Sequence, residues 1–150
     1  MNQKYGPDSG TVGLAGLFAG KRRTRTQAMM CQSAQYLYQA LPWGTAKDAI
    51  ARDVFRVFRH VRGRYASVGS FAYALKDLTA TRVRALDTHI HNNQTATQRL
   101  MREVALFILA HSEAKTSKRA IAHSVFKLFA KVEGGYRSVK KFYEVVLRVG

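Results

Sequence analysis

VFKLFAKVEGGYRSVKKFYEVVLRV, residues 125–149, decides the fold class. In its first part Val125, Phe126, Leu128, Phe129 and Val132 recur as they do on the inward face of a helix. Gly134-Gly135 then reads as the helix stop, because glycine enters backbone conformations closed to residues with a Cβ. Beyond it Tyr143, Val145, Leu147 and Val149 alternate with Glu144, Val146 and Arg148, and a period of two predicts a terminal strand. Helices first and short strands late predict an α+β fold, with about four helices packed on a small mixed sheet.

Working back from that stretch, the fourth helix starts after Thr116-Ser117, with Ile121 on its inner face. A third spans about Thr97–His111 with Leu100, Val104, Phe107 and Ile108 inward. The second opens on Thr45-Ala46-Lys47-Asp48, read as a capping box with Thr45 as the cap. It turns Ile50, Val54, Val57, Phe58 and Val61 to the core and closes at Gly63. The first begins near Thr26, places Ala28, Met29, Ala34, Leu37, Tyr38 and Leu41 on an uneven apolar face, and ends at Pro42. Between the second and third helices the pattern is weak. Phe71, Tyr73 and Leu75 alternate as in a short strand or loop, and residues 64–96 read as a divergent insertion. Residues 1–24, rich in glycine, form an extended basic N-terminal arm, and residues 25–150 a single α+β domain. No internal repeat is read along the chain.

The charge is the unusual property. With 25 Lys and Arg against 9 Asp and Glu, the net charge is +16. Such a chain repels itself until an anionic partner relieves it. A polyphosphate is the strongest candidate, since each phosphate neutralised releases condensed counterions; an anionic membrane surface is the second. The basic residues are clustered. Arg52, Arg56 and Arg59 share one helical face at i, i+4, i+7, with Arg62 and Arg64 beyond them. Like charges at that spacing repel by a few tenths of a kcal/mol per pair, so the stripe suits phosphates lying between the guanidiniums. Lys21, Arg22, Arg23 and Arg25 form a second cluster, in a segment without acids from Asp8 to Asp48. It reads as a basic arm that penetrates nucleic acid, or as part of an organellar targeting segment. The third comprises Lys115, Lys118, Arg119, Lys127 and Lys131, followed by Arg137, Lys140 and Lys141. Tyr136 and Trp43, both at turns, are candidates to stack on bases.

Enzyme chemistry finds no foothold. His89-Ile90-His91 has the look of a metal-ligand pair, yet only Asp87 accompanies it, so no metal and no cofactor is expected. Cys31 is the only cysteine and reads as a packed side chain. Paired catalytic carboxylates are hard to find among so few acids. No apolar run reaches the roughly 20 residues of a membrane-spanning helix.

Val125-Phe126-Lys127-Leu128-Phe129 followed by Gly134-Gly135-Tyr136-Arg137-Ser138-Val139 resembles the C-terminal signature of the bacterial-type large-subunit ribosomal proteins of the L-seventeen family. Arg25-Thr26-Gln27-Ala28-Met29 is similar to the basic segment that opens that family's first helix, and Thr45-Ala46-Lys47-Asp48 to the start of its second. The three islands occur in the family's order and cover about a third of the chain. Cys31-Gln32 stands where the family has Arg-Asn, and residues 64–114 differ from it, as in a divergent organellar member. The resemblance implies a structural constituent of the large ribosomal subunit that binds large-subunit rRNA, beside neighbouring large-subunit proteins and without a small-molecule substrate. It implies a mitochondrial matrix location, with the bacterial cytoplasm as the alternative. A basic accessory or assembly subunit of a membrane-bound organellar complex, and a nucleic-acid enzyme, are the competing readings.

Overall fold

The computed structural model of the protein describes residues 23–41, 45–77, 90–91 and 94–149. Among them are six helices and one pair of two-residue strands: α1 (Arg25–Ala40), α2 (Lys47–Val57), α3 (Val68–Ala74), β1 (Ile90–His91), β2 (Gln94–Thr95), α4 (Ala96–His111), α5 (Lys118–Leu128) and α6 (Val139–Val149). The expected four helices on a mixed sheet are therefore wrong. The β1–β2 pair, Ile90 opposite Thr95 and His91 opposite Gln94, is the only sheet among the described residues. The N-terminal arm up to Arg22, together with Trp43 and His89, lies outside them.

Two segments account for the error. The tail predicted as a strand is helix α6. Phe142 and Val146 stand four apart and are fully buried, Val139 and Tyr143 are half-buried, and Glu144 and Leu147 face outward. The alternation was an accident of apolar residues flanking a true helical stripe. Ser138 starts the helix: its Oγ accepts the Lys141 N–H at 3.1 Å. Likewise Phe71 on α3 and Leu75 at its C-cap are buried while Tyr73 is 69% exposed, a period of four rather than two. Ser67 and Ser70 form the capping box of that short helix. Two smaller readings also change. Ala46 rather than Thr45 is the N-cap of α2, without a side-chain hydrogen bond. Gly63 and Gly134 do not end helices; α2 and α5 stop at Val57 and Leu128, and each glycine takes φ near +82° or +86° in the turn that follows.

Those two glycines reveal a repeat that the sequence reading overlooked. Gly63 and Gly134 are 71 positions apart, and the same offset superposes α1 on α4, α2 on α5 and α3 on α6 without a gap. Nineteen of the 54 residues from Thr24 to Asp77 are identical to their counterparts from Thr95 to Arg148. Hydrogen bonds repeat as well. Thr24 caps α1 and Thr95 caps α4, each in a capping box closed by Gln27 or Gln98. The Thr24 hydroxyl donates to the Gly63 carbonyl, and the Thr95 hydroxyl to that of Gly134. The Thr26 hydroxyl donates to the Arg62 carbonyl, and the Thr97 hydroxyl to that of Glu133. Tyr65 packs on Phe71 with ring centroids 5.1 Å apart, Tyr136 on Phe142 at 5.0 Å.

The units join through equivalent helices. α1 touches α2 and α4, and α5 touches α2 and α4, so these four close a ring; α3 packs on α2, and α6 on α5 and α4. Directions follow from the hydrogen bonds. Val61, just past α2, bridges to Ser112, between α4 and α5, and the Arg62 and Glu113 N–H groups bond the carbonyls of His111 and His60. The C-terminal end of α2 thus lies by the N-terminal approach to α5, and the two run antiparallel. Tyr36, near the end of α1, bonds Thr97 at the start of α4 through their hydroxyls at 2.7 Å, so α1 and α4 are antiparallel too. That arrangement is a pseudo-twofold about an axis across the helices. The ring closes over one core. Its largest side chains include Phe58 and Phe129, Phe71 and Phe142, and Met30 and Met101, three equivalent pairs, all essentially without exposure. Each buried Phe contributes about 1.5–3 kcal/mol by leaving water.

Candidate nucleic-acid interface

α2 turns Ile50, Ala51 and Val54 inward, and Phe58 continues the same face. The 3.6-residue period then forces Arg52, Asp53 and Arg56 outward, Arg59 and His60 follow in the turn, and all five are exposed. α5 repeats the pattern: with Ile121, Ala122, Val125 and Phe129 inside, His123, Ser124, Lys127, Ala130 and Lys131 are exposed. Since α2 and α5 are neighbours on one side of the ring and α1 and α4 form the other, both stripes belong to the same side of the molecule. Asp53 is the one acid among these ten positions. Among the described residues, no carboxylate forms an ion pair with Arg52 or Arg56. Arg59 Nε donates to His60 Nε2 at 3.2 Å. The result is a pair of antiparallel cationic tracks with little compensation.

The opposite side differs. Between α1 and α4 lies a shallow groove of about 240 Å³ lined by Gln32, Gln35, Tyr36, Gln39, Arg99 and Glu103. Its amides and its single Arg and Glu leave it without net charge. The α1–α4 groove is therefore neutral where the α2–α5 stripes are basic, although further exposed cations stand on α6 and at the start of α1.

The sequence-predicted residues divide into three groups. Arg52 and Arg56 sit on α2 and Arg59 in the turn after it, with Arg62 exposed just beyond. Arg137, Lys140 and Lys141 are exposed at the start of α6, and Arg25 is exposed on the first turn of α1. A second group is occupied within the protein. Arg64 Nε donates to the Arg59 carbonyl at 2.9 Å, its Nη1 donates to the Tyr65 and Ala66 carbonyls, and its guanidinium covers the Phe55 ring at 5.2 Å. Arg119 lies 4.8 Å over Tyr143. Lys118 and Arg23 are half-buried. Tyr136, expected at the surface, is half-buried against Phe142, and burial raises its phenol pKa, the Arg102 charge opposing in part. Burial raises the Tyr65 phenol too, with the hydrogen bond to Cys31 second. Lys21 and Arg22 lie outside the described residues. His123 was missed; the 71-residue register, which pairs it with Arg52, is the signal that finds it.

Among the described residues no three His, Cys, Asp or Glu side chains gather as a metal site. No helix there is long and apolar enough to cross a membrane. Comparison with models of known protein families, with curated proteins and with solved structures gives no match, so the charge and geometry of this chain carry the functional reading by themselves.

Proposed function

We propose that this protein binds RNA through the α2–α5 side as a non-catalytic constituent of a ribonucleoprotein particle, namely the large ribosomal subunit of mitochondria. One observation carries RNA binding: Arg52, Arg56, Arg59, Lys127 and Lys131 are exposed on adjacent helices and the turns that follow them, with Asp53 as the only carboxylate in the two stripes. Guanidinium and ammonium groups so placed hold phosphates and release counterions, and the rigid ring beneath fixes their register. The ribosomal setting rests on the order of the three L-seventeen-like islands, not on the fold, because the sheet that the resemblance implies is replaced by helices. The third island also has a shadow in the first half of the chain, where Val54, Phe55, Phe58, Gly63 and Tyr65 match Val125, Phe126, Phe129, Gly134 and Tyr136.

Sedimentation of an organellar lysate tests the setting. The protein is expected with large ribosomal subunits at moderate salt, and flotation with membranes instead sinks the reading in favour of a membrane-complex accessory subunit. The triple variant Arg52→Glu, Arg56→Glu, Arg59→Glu is expected to leave the particle while its circular dichroism stays that of the parent. Normal incorporation of that variant removes the α2 stripe from the interface.

A further inference from the structure

We propose that the α2–α5 side receives double-stranded RNA, its two stripes following the two opposed phosphate backbones of one duplex; this rests on the RNA-binding reading above. Symmetry comes first. α2 and α5 are antiparallel and occupy equivalent places about a pseudo-twofold axis across the helices. The two strands of a duplex are likewise antiparallel and related by twofold axes across the duplex. Arg52 and Arg56 on one helix with Arg59 in the turn after it, and His123 and Lys127 on the other with Lys131 in the turn after it, therefore meet the strands in the same sense only if the partner is double-stranded.

Dimensions agree. The seven steps from Arg52 to Arg59, along α2 and into the turn that follows it, span about 10 Å at a helical rise. Packed helix axes stand about 8–10 Å apart, and long cationic side chains splay the charges wider than that. Two short, antiparallel tracks suit the wide, shallow minor groove of an A-form duplex, which proteins read through backbone and 2′-hydroxyl contacts rather than base edges.

Aromatic placement argues against a single strand. Proteins that hold single-stranded RNA present rings on which unpaired bases stack. Here Phe58 and Phe129 are fully buried, Phe55 lies under Arg64, Tyr143 under Arg119, and Tyr136 against Phe142. Tyr73, the most exposed ring among the described residues, is on α3, with the Lys76 ammonium 4.5 Å above it. Phe126 on α5 is half-buried against the core, so no ring described on the α2–α5 side stands free as a stacking platform.

Fluorescence anisotropy of the full chain with an end-labelled RNA duplex of about 16 base pairs, against each of its strands alone at equal salt, tests this. Duplex is expected to bind at least about tenfold more tightly, with little dependence on sequence. Arg52→Gln with Arg56→Gln, and separately Lys127→Gln with Lys131→Gln, are each expected to lower the salt slope by about two. Single strands bound as tightly as duplex overturn the duplex proposal and leave RNA binding standing. Binding to neither overturns both. A slope that changes for one pair of substitutions and not for the other overturns the two-strand contact.

Discussion

Position for position, the two halves of this protein agree inside and part company outside. Met30 and Met101, Ala34 and Ala105, Ile50 and Ile121, Ala51 and Ala122, Val54 and Val125, Phe58 and Phe129, Val61 and Val132, and Phe71 and Phe142 are identical pairs and all buried. At the surface Asp48 corresponds to Arg119, Gly69 and Ser70 to Lys140 and Lys141, and Ala66 to Arg137. A close-packed core responds to a single methylene, whereas an exposed position is usually neutral within about 0.5 kcal/mol. Two halves built on one plan can thus carry charge in different places. The first half concentrates it on α2 and the turn after it, the second spreads it from α5 into α6. Only the α2–α5 tracks are basic in both.

The largest test of the equivalence is in the core. Phe58→Ala and Phe129→Ala are each expected to lower unfolding free energy by about 3–5 kcal/mol in denaturant titrations. A negligible loss at either site would break the equivalence of the halves. Next come the turns. Thr26 and Thr97, both buried, hold the Arg62 and Glu133 carbonyls. Valine at either leaves a carbonyl without its donor and is expected to cost about 1–3 kcal/mol. Gly63→Ala is expected to cost about 1–2 kcal/mol, because its left-handed backbone disfavours a Cβ, which would also meet Thr24 at 3.2 Å. Unchanged stability of this variant would show that the turn relaxes.

A smaller effect sharpens the comparison through an inequality. The N-caps of α2 and α5 have matching extended backbones, but Ser117 Oγ accepts the Ala120 N–H at 3.0 Å and Ala46 has nothing to offer. Ala46→Ser is expected to add about 0.5–1 kcal/mol, visible as a raised Tm, and Ser117→Ala to remove about as much. The smallest concerns pH. Tyr65 has its folded pKa raised above 10.0, chiefly by burial. The stability it confers is whole below that value and falls as pH rises past it, once the unfolded chain ionises and the folded one does not. Tyr65→Phe is expected to flatten this alkaline loss, and an unaltered pH profile would show that the phenol stays neutral for no energetic reason.

α1, α2, α4 and α5 were legible because each is longer than two turns and carries its apolar residues at helical spacing. α3 and α6 were not. Seven residues of α3 give too few repeats to distinguish a period of four from a period of two, and Val145 and Leu147 flank the buried stripe of α6 with apolar neighbours. The stripe Arg52, Arg56, Arg59 was legible for the same reason as its helix. That Arg64 and Arg119 are held within the protein was not, since their partners are backbone carbonyls or rings reached through turns and packing.

By itself the sequence determined the excess of positive charge, the long helices, their inward faces and, through its 71-residue register, the likeness of the two halves. These are properties of composition and local period, which need no partner in space. The tertiary structure alone decided that equivalent helices pack against each other in antiparallel fashion, and so which cations share a side. Helix pairing depends on how buried side chains interdigitate across segments distant in the chain, and no local period records that.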